Sequence, residues 1–372
     1  MMTHRLAVLS AAPLALAAVL ASCSGGAPND ILGGSTISFV YESNETSNDV
    51  YGYLMNASTG ALTAIAGSPF SGGTGPRGLA ATPSGKFVYL ALSGADSVAG
   101  FALDGATGAL SPVPGSPFAA GTGPRGMAID PAGKFLFVAN ESSDNLSVYT
   151  IGANGALTEV SGSPFMTDAG PRGVAVAPSG KYVYVTNHSD DDLSGFSIDQ
   201  STGALTAVPG SAFSTGNTPF DVAVDPSGQF VYVTNHLDAS VSGFTLAPAT
   251  GSLTPITGSP WPSGSQPHGI IVDPSGKFVY VANHGSGDVS AYSIASGTGV
   301  LTPLSGSPFT AGSGPYGIAV DPNGKFIYVA DNYADSVSAF SYNGSTGALT
   351  PVAGSAFSAG TGPHGVIVVK PK

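Results

Sequence analysis

The chain has 372 residues, with 11 Lys and Arg against 23 Asp and Glu, a formal net charge of −12, and such an acidic balance excludes non-specific nucleic-acid binding. One cysteine excludes a disulfide framework. Gly and Pro are abundant, 53 and 29 residues, yet 42% of the chain is hydrophobic, which excludes a disordered low-complexity chain and points to folded β structure with many turns.

Residues 1–22 carry His4 and Arg5 followed by an apolar run from Leu6 to Leu20, interrupted only by Ser10 and Pro13. That run is short for a membrane span and reads as a secretion signal. It ends in Leu20-Ala21-Ser22-Cys23, which resembles the lipobox of bacterial lipoproteins. The resemblance implies cleavage before Cys23, lipidation of Cys23, and a lipid-anchored protein of the bacterial cell envelope. Ser24 rather than Asp in the next position implies delivery to the outer membrane. Residues 23–36, rich in Gly, Pro and Ser, are predicted to be a flexible tether. Without Arg5 the mature chain holds 10 basic and 23 acidic residues, a charge of −13.

Residues 37–372 are built from one repeated stretch. A Pro-x-Gly opening stands at Pro76, Pro124, Pro171, Pro267, Pro315 and Pro363, with a variant at Pro219, at steps of 48, 47, 48, 48, 48 and 48 residues. A fixed period of this length marks a repeat architecture. Within the copy that begins at Pro267, residues 269–272 form a short apolar run, and Asp273-Pro-Ser-Gly276 is a tight turn. Residues 278–282 (FVYVA) read as a strand covered on both faces, residues 289–294 as a third strand and residues 300–304 as a fourth. No segment has a helical period. Four antiparallel strands repeated radially make a β-propeller. Seven aromatic residues close the repeats (Phe70, Phe118, Phe165, Phe213, Trp261, Phe309 and Phe357), so seven blades are predicted, with each aromatic as a wedge between neighbours.

The chain joins the repeat one strand late. Phe39-Val-Tyr-Glu-Ser-Asn44 aligns with the second strand Phe278-Val-Tyr-Val-Ala-Asn283, while an unmatched first strand, residues 365–370, ends the sequence. The C-terminal strand is therefore expected to complete the first blade and remove both free edges.

Strand alternation puts the loop before the first strand and the loop after the second on one face, the top. Around the ring the first position reads Arg77, Arg125, Arg172, Phe220, His268, Tyr316 and His364, and the second reads Ser93, Glu141, His188, His236, His284, Asn332 and Glu45. These positions hold all three arginines and all five histidines of residues 23–372, while Lys86, Lys134, Lys181, Lys277 and Lys325 fall on bottom hairpins.

Three readings of the top face compete. Duplicated blades could simply inherit loop residues, with arginines paired to Asp96, Asp144 or Asp191. The basic residues could instead ring the channel mouth and attract an anionic ligand, since arginine suits carboxylate and phosphate. A metal on His188, His236 and His284 is the third, but no close ligand spacing supports it, so neither a metal nor a cofactor is expected.

Tyr184-Val-Thr-Asn187 and Tyr232-Val-Thr-Asn235, with Tyr280-Val-Ala-Asn283 and Tyr328-Val-Ala-Asp331, resemble the YVTN-type repeats of bacterial surface and periplasmic propellers, over residues 39–370. Residues 123–141 (GPRGMAIDPAGKFLFVANE) resemble a blade of the seven-bladed lactonase family, whose 6-phosphogluconolactonase-type members hydrolyse sugar lactones. Arg125 and Glu141 match polar positions of that blade, whereas Gly126 and Asp130 stand where the family often has His. The resemblance implies lactone hydrolysis, with His364 as base oriented by Glu45, and Arg77, Arg125 and Arg172 as anchors. His268, Tyr316, Glu141, His188, His236 and His284 would complete the ligand site. The rival expectation is a non-catalytic scaffold that binds a glycan, a peptide or an envelope protein. In both a monomer is expected, touching the membrane through its lipid anchor alone.

Overall fold

The computed structural model describes residues 37–372; the signal, Cys23 and the whole of the tether lie outside the described residues. The described residues contain no helix. They form seven antiparallel sheets, the blades of the expected propeller.

In one blade the strands Pro267–Val272, Phe278–Asn283, Asp288–Ile294 and Leu301–Pro303 run outward from the axis in sequence order. The second strand is buried along its whole length, as its unbroken apolar run requires. A fifth piece, Phe309–Thr310, also pairs with the third strand, Val289 opposite Phe309, while Leu301–Pro303 pairs with that strand's other end. The outermost position is thus a strand in two pieces. Between them lies Gly306 at φ 87°, which a ladder residue with a side chain would resist.

Each hydrophobic cluster joins two blades. Trp261 packs with Tyr232 and Val241 of its own blade and with Ile270, Val279 and Val281 of the next. It occupies space kept open by Gly243, where a Cβ would lie 2.5 Å from the indole ring. The seven closing aromatics all belong to such clusters. The blades are also tied by hydroxyls that the sequence did not single out. Tyr89, Tyr184, Tyr232, Tyr280 and Tyr328 each donate to a glycine carbonyl of a neighbouring blade, at 2.8, 2.7, 2.8, 2.8 and 2.8 Å.

The C-terminal strand closes the ring as expected. Pro363–Val369 pairs with Ser38–Asn44, Phe39 opposite Val369 and Glu42 opposite Val366. Glu42 stands where the other second strands carry Leu90, Val138, Val185, Val233, Val281 and Val329. It is 0% exposed, and neither carboxyl oxygen has a hydrogen-bond partner.

Candidate functional site

Every innermost strand is bulged near its start. In Pro124–Ile129 the register runs from Pro124 opposite Asn140 straight to Met127 opposite Val138, so Arg125 and Gly126 leave the ladder. Bulges re-aim side chains. Here the bulge takes the second and third residues of each innermost strand out of the ladder, and the third residues of all seven strands line the axial cavity.

One half of the mouth is charged. Glu141 gathers three guanidinium groups: Arg172 Nη2 at 2.6 Å, Arg125 Nη1 at 3.0 Å and Arg77 Nη1 at 3.8 Å. Arg77 Nη2 also reaches Glu45 at 2.7 Å. Burial pushes the Glu141 carboxyl up, but Arg125 and Arg172 beside it prevail and hold it below the usual carboxylate range. The expected pairing of arginines with Asp96, Asp144 and Asp191 is not what forms. Those carboxylates accept loop N–H groups from Gly123, Gly170 and Thr218, because their own positive φ folds them back against the loop.

The other half is aromatic. Phe220 stacks on His268 with centroids 3.9 Å apart and planes at 3°, and His268 stacks on His284 at 4.5 Å. His268 Nε2 lies 3.0 Å from His236 Nδ1. His188 meets the edge of Phe220 at 6.5 Å, and Tyr316 contacts His268 at 4.3 Å and His364 at 4.0 Å. The halves meet where Arg125 Nη2 donates to the Tyr316 hydroxyl at 3.2 Å and where the Arg172 guanidinium lies 4.9 Å from the Phe220 centroid.

The imidazoles are held neutral. Burial and then Arg172 bring His188 down to about 4. Burial likewise lowers His236 and His284, and His268 and His364 fall well below the usual histidine range, His268 beside His284 and His364 beside Arg125. His364 is buried, and its Nε2 has no hydrogen-bond partner. Glu45, expected to orient it, is bonded to Arg77 instead. Asp130, where the lactonase pattern often has His, caps the bottom hairpin by accepting the N–H groups of Lys134 and Phe135 at 2.6 Å each.

Beneath the mouth lies an axial cavity of about 170 Å³, lined among others by Arg125, Arg172, Phe220, Tyr316 and His364. Asp221 lines it too. The sequence reading missed Asp221, although it breaks a pattern visible in the repeats, since six blades carry Gly at that position. Among the described residues no group of three or more His, Cys, Asp or Glu is placed to hold a metal ion.

Seven antiparallel sheets closed into a ring around an axial cavity define a seven-bladed β-propeller. The sequence matches the family described as lactonase, 7-bladed beta-propeller, over residues 24–117, 79–263 and 259–363, and the chain belongs to that family. Among solved structures, a candidate 6-phosphogluconolactonase from Bacteroides uniformis is 21% identical with a TM-score of 0.78, covering 90% of this chain and 99% of its own. A second, from Bacteroides fragilis, is 23% identical with a TM-score of 0.78, covering 90% and 98%. The periplasmic gluconolactonase PpgL of Pseudomonas aeruginosa is 19% identical with a TM-score of 0.76, covering 91% and 100%. At these identities the likeness is one of fold. No curated protein matches the sequence.

Proposed function

We propose that the protein is a lactone hydrolase that opens a sugar-acid lactone in the axial cavity beneath its top mouth. One observation carries this reading: Arg125 and Arg172 line the same cavity as Tyr316 and the buried His364, in a chain of the lactonase family. Guanidinium groups fixed at a water-poor mouth would hold an acidic substituent and stabilise the oxyanion that forms when water adds to the lactone carbonyl. His364 is neutral, and its unpartnered Nε2 is free to meet a substrate hydroxyl or ring oxygen. Its strong depression makes it a poor acceptor for a proton drawn from water. The signal and lipobox support an envelope location, so the substrate would be met outside the cytoplasm.

The mutual neutralisation of Arg77, Arg125 and Arg172 by Glu45 and Glu141 favours a second reading, a binding propeller for a glycan, a peptide or an envelope protein. Hydrolysis decides between them. Purified protein is expected to open glucono-1,5-lactone or its 6-phosphate, followed by pH-stat, faster than buffer does. A rate equal to the buffer blank on both lactones would refute the hydrolase.

A further inference from the structure

The third residue of each innermost strand lines the axial cavity. Gly78, Gly126, Gly173, Gly269, Gly317 and Gly365 occupy that position in six blades, and the neighbouring strand explains why. A Cβ at Gly126 would lie 2.0 Å from the Arg172 carbonyl oxygen, and one at Gly78 2.2 Å from that of Arg125. The seventh blade puts Asp221 there. Its Oδ1 accepts the Val222 N–H at 2.9 Å, and its Oδ2 accepts the Ile270 N–H of the next blade at 3.3 Å. A carboxylate has about four acceptor sites, so each oxygen keeps one unfilled, and Asp221 lines the cavity together with Arg125, Arg172, Tyr316 and His364.

We propose that Asp221 is the general base of the lactone opening, drawing a proton from a water held in the axial cavity. The proposal rests on the hydrolase reading above. Among the other candidate bases around the mouth, Glu45 and Glu141 are bonded to arginines, His268 and His364 are buried beside other cations and imidazoles, and burial holds His188, His236 and His284 below the usual histidine range. Asp221 has no cationic partner, and burial pushes its carboxyl up to about 6, close to the value that serves a base at neutral pH. Arg125, Arg172, Tyr316 and His364 line the same cavity; burial pushes the Tyr316 hydroxyl up and the His364 imidazole down. The tyrosine and the histidine are moved away from neutral pH in opposite directions, so Asp221 sets the acid limb of the rate.

In the step, a carboxylate oxygen of Asp221 takes a proton from water as the water oxygen bonds to the lactone carbonyl carbon. The carbonyl π pair moves to oxygen, opposite the guanidinium groups. Collapse of this intermediate breaks the ring C–O bond, and the proton on Asp221 passes to the departing alkoxide. One lactone and one water give one hydroxy acid.

The test uses the full-length protein with glucono-1,5-lactone and its 6-phosphate. Asp221→Gly restores the residue the other six blades carry, so it removes the carboxylate with little conformational cost, and Asp221→Asn keeps the size. The expected result is a wild-type kcat that falls as pH drops through about 6, and a kcat lower by about 100-fold or more in both variants, with KM changed only a few-fold. Added formate is expected to restore part of the rate to Asp221→Gly by filling the vacated space. A purely structural strap to Ile270 would not respond to formate. Wild-type kcat in both variants, or a lost kcat that formate never restores, overturns the base. A wild type idle on both lactones overturns the hydrolase reading and the base with it.

Discussion

At the scale of single residues, the mouth is governed by what Glu141 does to three arginines. A guanidinium already bonded to carboxylate offers its remaining N–H groups to a ligand, and a charge-assisted hydrogen bond contributes about 1.5 to 3 kcal/mol. Arg125→Ala is expected to weaken an anionic ligand such as 6-phosphogluconate by about that amount, whereas Lys277→Ala on a bottom hairpin leaves it unchanged. Calorimetry on the two variants reads the difference, and equal affinities would place the ligand elsewhere. The histidines contribute shape and hydrogen bonding rather than charge, because burial keeps them neutral.

At the scale of elements, the closing blade is the exceptional one. Its second strand, Ser38–Asn44, lies between Asp49–Met55 and Pro363–Val369, and it carries Glu42 where its counterparts carry Leu or Val. Burial raises the Glu42 carboxyl well above its ordinary value, with the Asn44 side chain opposing it and Asp49 and Asp335 adding to it. The native state therefore prefers the protonated acid. Its contribution to stability is fully present below the unfolded value near pH 4.5 and is lost as pH rises toward the folded value. Glu42→Val is expected to stabilise the protein by about 1 to 3 kcal/mol through removal of an unpartnered buried group, with a gain in Tm larger at pH 8 than at pH 4.5. Parallel melting of the two proteins across that range would mean that Glu42 is satisfied in solution. Deletion of residues 365–372 removes most of the strand that pairs with Ser38–Asn44 and exposes two edges. A large fall in Tm or aggregation is expected, and an unchanged Tm would contradict closure by this strand.

At the scale of the whole molecule, the ring is held by seams that repeat: an apolar cluster, a closing aromatic and, at most seams, a tyrosine hydroxyl on a neighbouring glycine carbonyl. The acidic body gathers its three arginines at one mouth, paired with Glu45 and Glu141, and under the proposed function that mouth would draw small anions against the overall repulsion. The proposed envelope location rests on residues outside the ring. Cys23→Ala is expected to leave the protein in the soluble fraction or with its signal uncleaved, as read by membrane sedimentation and immunoblotting. Normal processing and sedimentation of that variant would rule out the lipid anchor.

The 48-residue period, the Pro-x-Gly openings and the displaced first strand at residues 365–370 determined the seven blades and their closure from sequence alone. Strand pattern and turn chemistry are local, and a repeat writes them seven times. The two loop positions that collect every arginine and histidine of residues 23–372 were equally legible, since strand alternation fixes which loops share a face. Partnership was not. Glu45 met Arg77 rather than His364, and the arginines met Glu141 rather than the loop aspartates, because bonds between blades depend on bulges and on axial distances that no spacing along the chain records. Asp221 and Glu42 differ from their counterparts by one residue in the repeat, a signal present in the sequence. Only the packed ring decided what each faces: Asp221 an axial cavity with arginines on its wall, and Glu42 a sealed seam with no partner at all.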